Sequence, residues 1–63
     1  MTIISKESAQ INDRVRWSYK GDFGYGRIVK ITKKNFFVRD EKEYSDGRIY
    51  IIQKELCFEF LRD

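Results

Sequence analysis

A chain of 63 residues makes one small domain and leaves no room for a deep substrate cavity, since so short a chain buries only about 60% of its unfolded surface. One cysteine and no histidine exclude an intrachain disulfide, a structural zinc site and a histidine-dependent triad. The net charge of +3 is uneven: residues 1–34 hold eight Lys/Arg against three Asp/Glu, and residues 35–63 hold five against seven, which favours an anionic partner for the first part.

Residues 1–11 read as an N-terminal arm. Polar residues mix with Ile3 and Ile4, Ser5 and Ser8 suit a turn, and no helical period develops. The arm is either loose or packed through Ile3 and Ile4 on the domain or on a neighbour. Asn12-Asp13 is a turn signal and opens the body of the domain, residues 12–63. Val15 and Trp17 then alternate with Arg14 and Arg16, giving a first strand over 14–17 with Val15 and Trp17 inward. Ser18 to Gly26, rich in Gly, Tyr and Phe, reads as a loop of nine residues. Its glycines, Gly21, Gly24 and Gly26, do not match a dinucleotide or P-loop spacing. No helix follows and the P-loop lysine is missing, so they read as structural.

Arg27 to Ile31 is the second strand. Lys33-Lys34-Asn35 is a tight turn in which Asn35 tolerates left-handed backbone, and Phe36 to Arg39 is the third strand. The charged stretch Asp40 to Gly47 ends in Ser45-Asp46-Gly47, a hairpin signal that places Gly47 at positive φ. Arg48 to Ile52 is the fourth strand, with Ile49 and Ile51 on one face and Tyr50 on the other. Gln53 to Leu56 suits one turn of 3₁₀ helix, and Cys57 to Phe60 is the fifth strand, with Phe58 and Phe60 sharing a face. The expected core is Val15, Trp17, Val29, Ile31, Val38, Ile49, Ile51, Leu56 and Phe58. Cys57 reads as a small buried hydrophobe, and a single thiol with no leader pattern suggests a cytoplasmic setting. No apolar run approaches the ~18 residues that a membrane span needs.

The fold class is therefore all-β. Five short strands, a long first loop, tight turns and a 3₁₀ turn before the last strand resemble the SH3-like barrel in its Tudor and KOW-type variants. The residues that carry the resemblance are Asn12-Asp13-Arg14-Val15-Arg16-Trp17, Gly26-Arg27-Ile28-Val29-Lys30-Ile31 and the Ile52-to-Leu56 spacing, and it covers residues 12–61. Asn12 stands where those families commonly have glycine. The resemblance implies a five-stranded barrel. Of the Tudor type, it also implies an aromatic cage drawn from Trp17, Tyr19, Phe23 and Tyr25 with Asp22 beside it. The residues themselves assign Trp17 to the core and leave Tyr19 and Phe23, which alternate with Lys20 and Asp22, exposed.

No catalytic residue, metal ligand or cofactor is expected. The acids Asp40, Glu41, Glu43 and Asp46 have no base or nucleophile set beside them and read as a solvated turn. The expected binding residues are Arg14, Arg16, Tyr19, Lys20, Phe23, Tyr25, Arg27, Lys30, Lys33 and Lys34. Together they offer cations for phosphates and rings for bases. The function expected is a non-catalytic module contacting nucleic acid or a nucleic-acid-associated protein. The alternative is a protein–protein adaptor or inhibitor subunit. A remoter one is an oligomeric SH3-like reductase: Gly47-Arg48-Ile49-Tyr50 is similar to the Val-Gln-Ile-Tyr of trimethoprim-resistant dihydrofolate reductases, with Arg48 in place of Gln.

Overall fold

The computed structural model describes residues 1–41 and 46–63, so Glu43 of the charged turn and Ser45 of the expected hairpin lie outside the described residues. The described chain is all-β: β1 (Thr2–Ile4), β2 (Arg14–Tyr19), β3 (Asp22–Ile31), β4 (Asn35–Asp40), β5 (Ile49–Gln53) and β6 (Cys57–Arg62). They form one antiparallel sheet in the order β1-β6-β2-β3-β4-β5. The sheet has six strands rather than the expected five, and it stays open, with β1 and β5 as its two edges. The extra strand comes from the first residues, where Thr2, Ile3 and Ile4 pair with Arg62, Leu61 and Phe60. Single 3₁₀ turns cover Lys6–Ser8 and Lys54–Leu56, the second where it was expected.

The expected loop over 18–26 is not a loop. β2 and β3 pair without interruption from Arg14↔Arg27 to Tyr19↔Asp22, and the connection is the two residues Lys20 and Gly21, at φ 50° and 84°. Positive φ at both central positions is the type I′ pattern that matches strand twist. Gly24 and Gly26 are strand residues on the core face, and each is small because something lies against it. A Cβ on Gly24 would sit 2.5 Å from the Trp17 indole, and one on Gly26 would strike the carbonyl of Arg39. In the next turn Asn35 also lies in regular strand. The Thr32 N–H donates to the Asn35 carbonyl (3.0 Å), leaving Lys33 and Lys34 as the bend.

The core is one face of the sheet: Val15 and Trp17 from β2, Ile28 from β3, Phe36 and Val38 from β4, Ile52 from β5, Cys57 and Phe60 from β6. Phe36 and Phe60 meet edge to face at 5.5 Å. Val15, Trp17 and Val38 were expected there, and Val29 and Leu56 are half-buried. Ile31, Ile49, Ile51 and Phe58 are exposed instead. In β5 both alternating sets are apolar, so periodicity cannot choose a face. The pairing Phe36↔Ile52 does, because Phe36 is buried. In β6 the partner of β2 shifts from Glu59 to Cys57 between Arg16 and Trp17, and this bulge turns Phe58 outward. A second bulge leaves Val29 unopposed between the pairs Ile28↔Val38 and Lys30↔Phe37, and Ile31, opposite buried Phe36, stays exposed at the end of its strand.

Asp13 is the buried polar side chain of the described residues, and it fastens the chain ends. Its carboxylate accepts from Arg62 Nε (3.0 Å) and Nη2 (2.9 Å) and from the Gln10 N–H (2.7 Å), while the same Arg62 Nη2 donates to the Ser8 carbonyl. Gly47 has φ 79°, as expected. The β4–β5 connection is nonetheless longer than a two-residue hairpin, since the Asp40 N–H donates to the Arg48 carbonyl (2.9 Å).

Candidate functional site

Residues directly opposed across antiparallel strands put their side chains on the same face. The register therefore assembles the outer surface of β6, β2 and β3. Arg16 lies between Glu59 and Tyr25, Arg14 between Leu61 and Arg27, and Ser18 opposite Phe23. The bulge adds Phe58, whose ring meets Phe23 edge to face at 6.3 Å. Arg16, Phe23, Gly24, Tyr25 and Phe58 line one open groove of about 470 Å³. All three rings are exposed, with Phe23 at 67% and Phe58 at 54%.

The cations around the groove differ in their commitments. Arg16 faces Glu59 at 3.8 Å, with both side chains in solvent, a pairing worth little in water and readily exchanged for another anion. Arg27 is held more firmly. It donates to the Asn12 carbonyl (2.9 Å) and to Asp63 (2.8 Å), and Glu41 is 3.7 Å away. The Asp63 hydrogen bond, chiefly, raises its pKa further, and Arg27 in turn holds the Asp63 carboxyl below its ordinary value. Arg27 thus ties down Asp63. Lys30 lies on the same outer face farther along, with its ammonium 5.2 Å from the Phe37 ring.

The other expected residues are elsewhere. Tyr19 and Lys20 are at the tip of the β2–β3 hairpin, where the Lys20 ammonium is 5.3 Å from the Tyr19 ring. Lys33 and Lys34 occupy the opposite hairpin. A second, smaller groove beside the β2–β3 tip is lined by Trp17, Tyr19, Asp22, Phe23, Gly24, Asp40, Tyr50 and Ile52. Of the four rings expected in a cage, it gathers Trp17, Tyr19 and Phe23. Tyr25 falls on the outer groove, and Tyr50 joins from β5.

Gly24, Asp40, Tyr50, Ile52 and Phe58 line these grooves and were not among the expected binding or cage residues. The bulge that exposes Phe58 leaves no local pattern in the sequence. The Cys57 thiol is buried against the Gln53 carbonyl, and burial pushes its pKa up to about 11, so it offers no nucleophile at neutral pH. Among the described residues no three His, Cys, Asp or Glu side chains converge to hold a metal ion, and no helix is long and apolar enough to cross a membrane.

No family model matches the sequence, and neither a curated protein nor a solved structure is significantly similar to the chain.

Proposed function

We propose that this protein is a non-catalytic module that binds single-stranded nucleic acid across the outer face of β6, β2 and β3. The observation that carries the reading is the grouping of three exposed rings, Phe23, Tyr25 and Phe58, around the weakly paired guanidinium of Arg16. Ring faces stack unpaired bases with little regard to sequence, and the arginines take the backbone phosphates. Single strands are favoured because a base inside a duplex has no free face to offer. The fold reading beneath this is an SH3-like arrangement. The order β6-β2-β3-β4-β5 and the 3₁₀ turn between β5 and β6 support it, with β1 as an addition to one edge.

Fluorescence titration of labelled single- and double-stranded oligonucleotides at two salt concentrations tests the proposal. Tyr25→Ala should weaken single-strand binding by about 1–3 kcal/mol with little change in salt dependence. Arg16→Ala should lower the salt slope by about one ion. Absence of micromolar binding at low salt would reject it.

A second reading, a protein-binding module, is favoured by the smaller groove. Rings from Trp17, Tyr19 and Tyr50 with the carboxylates of Asp22 and Asp40 suit a lysine or alkylated ammonium on a protein partner. A peptide bearing trimethyl-lysine that binds wild type but not Tyr19→Ala would bring that reading forward.

A further inference from the structure

At the end of the sheet away from the β2–β3 hairpin lies a groove lined by Lys6, Lys34, Asn35, Gln53, Lys54 and Glu55, about 610 Å³ in volume. Three lysines line it against one glutamate. The backbone brings them there. The Lys54 N–H donates to the Lys34 carbonyl at 2.9 Å, Asn35 pairs with Gln53 across β4 and β5, and Lys6 begins the 3₁₀ turn that follows β1. Lys6 and Lys54 are half-buried, and the Lys54 ammonium sits 5.1 Å from the Phe36 ring at the core margin. Like charges gathered by fixed backbone repel one another, and an anion placed among them removes that cost. Lysine ammoniums act as point charges suited to phosphate, and Asn35 and Gln53 add amide donors.

We infer that this groove binds a compact phosphate-bearing anion, such as a polyphosphate or the phosphate tail of a nucleotide, at a site separate from the aromatic face proposed for nucleic acid. The groove is lined by no aromatic residue on which a base would stack, and lysines from three separate segments make up half of its lining, which suits a short, dense anion better than an extended backbone.

The test is titration of the full chain with sodium tripolyphosphate at low salt, followed by amide chemical shifts and calorimetry. A single-stranded oligonucleotide and inorganic phosphate are titrated in parallel. Saturable tripolyphosphate binding should move the amides of Lys34, Asn35, Gln53 and Lys54 and leave those of Arg16, Tyr25 and Phe58 in place. Lys34→Gln and Lys6→Gln, each shown to be folded by its amide spectrum, should each weaken binding about tenfold, the loss of one charge-assisted contact. Tyr25→Ala should have no effect. Failure of tripolyphosphate to move these amides at millimolar concentration, or movement by the oligonucleotide alone, would overturn the inference. Oligonucleotide binding at Tyr25 and Phe58 is read independently, so either proposal can fail without the other.

Discussion

A Cβ on Gly24 would press on the Trp17 indole at 2.5 Å, so this ring needs glycine beside it. Gly24→Ala should cost about 1–3 kcal/mol by overpacking, and Trp17→Ala about 3–5 kcal/mol by leaving a cavity, enough to unfold so small a domain. Urea melts of the two variants check both figures, and a Trp17→Ala protein with unchanged melting would contradict the core described here. Asp13 is the other residue on which much depends. Its hydrogen bonds from Arg62 chiefly hold the carboxyl below its ordinary value of 3.8, aided by the Gln10 N–H and opposed by burial. A carboxyl depressed in the folded state stabilises fully above its unfolded pKa, and that contribution disappears as pH falls through the folded value. Melting temperature should therefore hold level from neutral pH down to about 5 and fall below about 4. Asp13→Asn should lower stability at pH 7 by about 1–3 kcal/mol and flatten the acid limb. An acid limb of unchanged depth in that variant would assign the acid sensitivity to other carboxylates.

The β2–β3 hairpin sets the geometry of the outer face, since its register places Tyr25 beside Arg16 and Phe23 opposite Ser18. Its tip holds Lys20 at φ 50° and Gly21 at φ 84°. A β-branched residue in left-handed backbone is strained by roughly 1–2 kcal/mol, so Gly21→Val should destabilise by about that amount, whereas Lys20→Asn should stabilise slightly. Thermal melts of the two variants decide whether the turn is of this type. Much of the element order was legible in sequence. The alternation in Arg14–Trp17 names the inward pair correctly, and the 3₁₀ turn after Gln53 lies where its composition puts it. Glycines at 21, 24 and 26 were misleading, because two of them answer to a neighbouring ring and a neighbouring carbonyl, contacts that no local pattern encodes. The β5 run Ile49-Tyr50-Ile51-Ile52 is apolar on both faces, and its true register is decided only by the partner strand. For the candidate face, Arg14, Arg16, Phe23 and Tyr25 were among the expected binding residues because rings and cations are conspicuous in sequence, and the register sets all four on this face. Phe58 was assigned to the core because the bulge that turns it outward arises from pairing with β2.

Among the described residues, charges and rings gather on at least three surfaces: a cationic aromatic groove on β6-β2-β3, a carboxylate-bearing aromatic groove at the hairpin tip, and a lysine groove at the opposite end. The basic residues of 1–34 are dispersed, with Arg14, Arg16 and Lys30 on the outer face, Lys20 at the hairpin tip, Lys6 and Lys34 at the opposite groove, and Arg27 spent internally on Asp63 and the Asn12 carbonyl. The net charge alone therefore overstates what any one face offers a partner. The central claim is that the aromatic face takes single-stranded nucleic acid. The most direct measurement is amide chemical-shift mapping of the full chain with a short single-stranded oligonucleotide at low salt. The largest shifts should fall on Arg16, Phe23, Tyr25 and Phe58 and shrink as salt rises. Shifts centred on Trp17, Tyr19 and Tyr50, or none at all, would contradict it.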